Sequence, residues 1–127
     1  MKPDDPTENN LMSKVYNLVR VGSTTAGTGT ATLGGAVSGF LTFALAGASN
    51  GDRIEYSIND GSASEKGSGI YNSAGPTLSR QKIYSSTNGG AAIVLSGLSS
   101  SCNVFCDPSA QNLWAIDTNQ HAMYGGI

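Results

Sequence analysis

The chain has 127 residues, a formal net charge of -2 and only 13% charged residues, against about 25% in an average soluble protein. Its length suits one domain, and the near-neutral balance without Lys/Arg clusters offers no footprint for a phosphate backbone. Disordered chains usually pair low hydrophobicity with high net charge, so 39% hydrophobic residues at so small a net charge argue for folding.

Residues 1–13 carry Pro3, Pro6, Asp4, Asp5 and Glu8, with almost nothing apolar before Leu11. They read as an amino-terminal arm. The opening Met1-Lys2-Pro3-Asp4-Asp5-Pro6 lacks the apolar core of a signal peptide, so synthesis in the cytosol is expected. No run approaches the ~20 apolar residues of a membrane span, and neither membrane nor nucleic acid is an expected partner.

Over residues 14–108 the pattern is of short β-favouring runs broken by Gly, Asn, Asp and Ser. This predicts an all-β fold, a single antiparallel β-sandwich or barrel of short strands. The expected strands are Lys14 to Val21, Gly27 to Leu33, Gly39 to Leu45, Asp52 to Asn59, Ser68 to Tyr71, Thr77 to Tyr84, Ala91 to Leu95 and Asn103 to Cys106. In the clearest run Ile54, Tyr56 and Ile58 fall on one face, and Arg53, Glu55 and Ser57 on the other. The second face is expected to be solvated. Asn50-Gly51 and Asn59-Asp60-Gly61 frame this run as tight turns. Glu65-Lys66 reads as an exposed loop, and Arg80, Lys82 and Tyr84 as a solvated ridge. Gly27-Thr28-Gly29 has no helix after it to present an amino terminus to phosphate.

Residues 109–127 form a tail carrying Leu113, Trp114, Ile116, Met123 and Tyr124. These five are the candidate partner-binding residues, because Trp and Tyr dominate interface hot spots. Packing of the tail on its own sheet is the alternative.

Catalytic chemistry finds little support. The only histidine is His121, in the tail, so a Ser-His or Cys-His system has no base within the β region. Cys102, Cys106, Asp107 and His121 match no standard zinc spacing. The two cysteines are four positions apart, about 13 Å on a strand, beyond the ~7 Å at which Cα atoms can be bridged, so free thiols are expected. No catalytic residue, metal or cofactor is expected.

One block, Val19-Arg20-Val21-Gly22-Ser23-Thr24-Thr25 through Gly34, then Ala36-Val37-Ser38-Gly39-Phe40-Leu41-Thr42-Phe43-Ala44, Gly51-Asp52-Arg53-Ile54-Glu55-Tyr56-Ser57-Ile58-Asn59-Asp60-Gly61, Gly69-Ile70-Tyr71 and Thr77-Leu78-Ser79-Arg80, carries a resemblance. It resembles a small β domain that recurs in virion proteins of tailed bacteriophages, in head-associated and fibre-associated components. The resemblance spans about Val15 to Pro108, and implies a location and a role but no active site. What it implies is a capsid decoration or cement protein, a homotrimer bound to the major capsid protein or other virion subunits. The alternatives are a tail, neck or head-fibre component, or a carbohydrate-binding module that contacts the host surface. Cys102, Cys106 and the aromatic tail depart from the usual look of that domain.

Overall fold

The computed structural model describes residues 13–110. Nine strands follow in chain order: β1 (Arg20–Gly22), β2 (Ala26–Gly27), β3 (Ala31–Thr32), β4 (Arg53–Asp60), β5 (Ala63–Asn72), β6 (Thr77–Leu78), β7 (Lys82–Ser86), β8 (Leu95–Ser96) and β9 (Cys102–Cys106). Seven make one antiparallel sheet in the order β1-β9-β4-β5-β6-β3, with β7 also paired to β5, and β2 pairs with β8. The sheet curls into a half-barrel, so the all-β expectation holds.

The β4–β5 hairpin is the spine. Asp60 faces Ala63 in register, and the turn between them is made by Gly61, whose φ of +64° favours glycine. Period-two alternation sends Ile54, Tyr56 and Ile58 inward from β4. Opposite them on β5 come Glu65, Gly67, Gly69 and Tyr71. Val19, Val21, Leu33, Phe43, Leu78, Ile93, Leu95, Cys102 and Val104 complete the core. Phe43 stacks on Tyr71 with ring centroids 5.7 Å apart.

The two inner glycines are needed for close approach. A Cβ on Gly67 would lie 2.3 Å from the Lys82 carbonyl oxygen and 2.8 Å from Tyr56 Oη, and one on Gly69 only 1.6 Å from the Ser79 carbonyl oxygen. Ser79 occupies that space, donating its N–H to the Ile70 carbonyl (3.1 Å) while its Oγ accepts the Ile70 N–H (2.8 Å).

Several expected strands are corrected. Of Lys14 to Val21 only Arg20 onward is strand; Lys14 instead makes a lone parallel bridge to Ile54. Gly39 to Leu45 is a series of turns, closed by Ala46 N–H to Thr42 O and Ala48 N–H to Phe43 O, which plugs Phe43 into the core. Thr77 to Tyr84 splits into β6 and β7, and of Ala91 to Leu95 only Leu95 joins a strand. The short Ser68 to Tyr71 run is part of the ten-residue β5.

Candidate functional site

The inner face of the sheet carries an ion pair. Arg80 reaches Glu65 through Nε to Oε2 (2.8 Å) and Nη2 to Oε1 (2.6 Å), and their side chains are 1% and 0% exposed. The other Arg80 hydrogens go to the carbonyls of Gly27 (3.2 Å), Gly29 (3.1 Å) and Ile93 (2.6 Å). Glu65 also accepts from Tyr56 Oη (2.7 Å) and from the Ile93 N–H (2.9 Å). All five guanidinium donors and all four carboxylate acceptor positions are thereby engaged. Burial pushes the Glu65 carboxyl up, but Arg80, Tyr56 and Ile93 outweigh it and hold it below the ordinary range. This cluster staples β5 to the loops around β2 and β8; it has no acceptor position left for a substrate proton.

Two sequence expectations are overturned here. Glu65-Lys66 lies on β5, not on an exposed loop, and Arg80 is a core residue, not part of a solvated ridge. The glycines of Gly27-Thr28-Gly29 serve as carbonyl acceptors for Arg80.

Among the described residues the remaining acids are also tied to groups of their own chain. Asp60 accepts the Ser96 N–H (2.6 Å) and the hydroxyls of Ser96 (3.0 Å) and Ser101 (2.7 Å). Against the upward push of burial, these bonds hold its carboxyl low. Asp52 takes Lys14 Nζ (2.9 Å), the Ser49 N–H (2.9 Å) and the Tyr16 hydroxyl, fastening the segment before β1 to the start of β4. Glu55, expected on a solvated face, is 1% exposed. Its Oε1 accepts the Ser109 N–H (2.8 Å) and its Oε2 the Tyr84 hydroxyl (3.1 Å), so the chain leaving β9 folds across it.

Both thiols are free, as expected. Burial, with Asp60 adding to it, pushes Cys102 up to about 11, and burial also raises Cys106; neither is poised as a thiolate at neutral pH. Among the described residues no three His, Cys, Asp or Glu side chains gather to hold a metal ion, and no helix is long and apolar enough to cross a membrane.

Three surface features remain. The first is an outward group around β1. Leu41 donates its N–H to the Leu18 carbonyl (2.7 Å), which joins the loop carrying Phe40 to the approach to β1. Leu18 is 65% exposed and Phe40 41% exposed. Beside them the Arg20 guanidinium lies 5.3 Å from the Phe40 ring centroid and 4.5 Å from that of Phe105, within cation–π range of both. Leu18 has a φ of +64°, a left-handed conformation that costs an ordinary residue roughly 1–2 kcal/mol. The second is an apolar hollow of about 140 Å³ bounded by Val21, Leu33, Phe43, Tyr71 and Pro76.

The third is a trough of about 340 Å³ across the outer face of the sheet. Register lines up Phe105, Ser57, Lys66 and Ser85 across β9, β4, β5 and β7. Asn59 and Ser64 form the next row, joined by Nδ2 to Oγ at 2.9 Å, and Thr87 Oγ1 accepts the Ser64 N–H at 3.1 Å. Lys66 Nζ is sealed from water and has no hydrogen-bond partner. Burial lowers its proton affinity, and the fields of Asp107 and Glu55 oppose that.

The sequence-derived partner residues Leu113, Trp114, Ile116, Met123 and Tyr124 lie outside the described residues, as does His121. Neither the β1 group nor the trough was singled out from sequence, because each is assembled from strands far apart in the chain. Comparison with protein-family models, curated proteins and solved structures finds no match to this chain.

Proposed function

We propose that the chain is a non-enzymatic structural subunit of a tailed-phage particle, a decoration or cement protein that binds the assembled head as a homotrimer. The observation that carries this reading is the outward group of Leu18, Phe40, Arg20 and Phe105. Apolar, aromatic and Arg side chains on one face are the composition of protein-binding hot spots. A leucine held outward in a left-handed conformation is a local cost that a contact surface accounts for better than folding does. The engagement of Glu55, Asp60, Glu65 and Arg80 in bonds to their own chain supports a binding role over a catalytic one. The apolar hollow beside Phe43 is sized for one partner side chain. Binding to the assembled shell alone would stabilise it by mass action, about RT ln(1 + [L]/Kd) per site. A tail, neck or head-fibre position is the second placement.

The test adds the protein to undecorated shells of the phage that encodes it and measures occupancy. The unmodified chain should saturate its sites, and Leu18→Asp should weaken binding at least about tenfold. Trp114→Ala and deletion of residues 115–127 examine the tail in the same assay, with a loss of about 2 kcal/mol or more if Trp114 is an anchor. Light scattering should report a trimer. A monomer that binds neither head, neck, tail nor fibre would refute the reading.

A further inference from the structure

We propose that the trough across the outer face of β9, β4, β5 and β7 binds a neutral saccharide. Phe105 is common to this trough and to the outward group, but the proposal does not depend on the assembly role. The trough holds about 340 Å³, at the small end of the range for ligand sites, and its strands lie roughly 4.8 Å apart, so its length crosses about 14 Å. That suits a mono- or disaccharide.

The lining fits the same chemistry. Ser85 offers a hydroxyl that both donates and accepts, Ser64 a hydroxyl hydrogen beside the Asn59 amide it accepts from, and Ser57, Thr87 and Asn59 acceptor oxygens, their own hydrogens being spent on Asp107, the Ser64 carbonyl and Ser64 Oγ. A polyol presents the same mixed character at every carbon. Phe105 closes one end of the row, its ring held by Arg20 at 4.5 Å, and gives an apolar wall for the C–H face of a sugar ring.

Lys66 supplies the independent sign of a ligand. Its ammonium is buried with no hydrogen-bond partner, an arrangement that native proteins rarely leave unanswered. Its four-carbon stem can turn the ammonium into the trough that the residue already lines, where a ligand oxygen becomes the missing acceptor. Charge decides which ligands qualify. The groups whose fields reach Lys66 are Asp107, Glu55 and Cys106, and two of these are carboxylates against one ammonium. A further anion is repelled, so the oxygen comes from a hydroxyl or ring ether and not from a carboxylate or sulfate.

The experiment titrates the isotopically labelled full chain with glucose, galactose, mannose, N-acetylglucosamine, maltose and lactose, and with sialylated and sulfated lactose, following amide resonances by NMR. At least one neutral sugar should give saturable shifts centred on Ser57, Lys66, Ser85 and Phe105. Lys66→Met, which keeps the stem and removes the ammonium, should weaken that binding about tenfold. Ser85→Trp, at an exposed position of β7, should abolish it by filling the trough. Melting curves establish that both variants fold. The proposal is overturned by an absence of saturable shifts at the solubility limit of every sugar, by shifts centred elsewhere, by preference for the charged sugars, or by unchanged binding in folded Lys66→Met.

Discussion

Replacing Arg80 with Met removes the guanidinium while keeping most of the side-chain volume. Glu65 is left fully buried with Tyr56 Oη and the Ile93 N–H as its only donors, and the carbonyls of Gly27, Gly29 and Ile93 each lose a hydrogen bond. Removing one partner of a buried ion pair costs about 3–5 kcal/mol, a large part of the roughly 5–15 kcal/mol that holds a domain together. With a urea slope of about 1–1.5 kcal/mol per M for a domain of this size, the unfolding midpoint at pH 7 should fall by roughly 2 to 5 M. Circular dichroism reads the transition.

The pH dependence separates this cause from simple loss of packing. In the unmodified protein burial raises the Glu65 carboxyl, but Arg80, Tyr56 and Ile93 depress it below its ordinary 4.5. Its contribution to stability is therefore present above that value and is lost as pH falls through the depressed one. In Arg80→Met the burial is no longer opposed by a cation and the carboxyl rises, so the folded variant gains relative stability as pH falls. The gap between the two proteins should narrow from pH 7 to pH 4. A difference under about 1 kcal/mol at pH 7, or one of constant size across that range, would refute the assignment of Arg80 as the partner that keeps Glu65 charged in the core.

Other substitutions probe neighbouring parts of the fold. Gly69→Ala drives a Cβ to within 1.6 Å of the Ser79 carbonyl oxygen and should cost about 4 kcal/mol or more, whereas Gly61→Ala, with open space around it and a φ of +64°, should cost about 1 kcal/mol; paired thermal melts decide. Leu18→Gly should leave stability unchanged or raise it by about 1 kcal/mol by relieving the left-handed leucine, while shell occupancy falls, and a large drop in melting temperature would place Leu18 in the fold instead. Burial raises Asp52 and Asp60, but hydrogen bonds from Tyr16 and Ser49, and from Ser101 and Ser96, depress both below 3.8. Stability should thus be level above about pH 5 and decline as pH falls below the ordinary carboxylate values, as followed by urea midpoints.

The parts of the fold legible in the sequence are those set by local pattern. Ile54, Tyr56 and Ile58 alternate cleanly, and Asn59-Asp60-Gly61 supplies the turn, so β4 and the start of its hairpin follow from period two and turn chemistry. The run from Gly39 to Leu45 misled because apolar content alone does not separate a strand from tight turns that bury one aromatic. Burial of Glu55, Glu65 and Arg80 was missed because charge near a turn ordinarily signals solvent. One signal was available: Glu65, Gly67, Gly69 and Tyr71 share a face at period two, so a buried Tyr71 carries Glu65 inward with it. The outward group and the trough need the register between β9, β4, β5 and β7, which no local pattern encodes.

The position of β9 in the sheet has a consequence for how the molecule is made. β9 lies between β1 and β4, so within the sheet the first strand reaches the spine through the last, and the segment before it touches β4 directly only around Lys14 and Tyr16. A ribosome releases the chain from its amino end, and until residues 102–106 clear the exit tunnel β1 can pair only with the loop at 34–41, and Tyr56 to Asp60 of β4 lack their partner on one side. The nascent β4–β5 hairpin must therefore wait with Tyr56 and Ile58 uncovered by Val104. Such long-range closure is slow and exposes unpaired edges, so holdase chaperones should engage this chain during translation. Premature termination before Cys102 should yield no stable fragment.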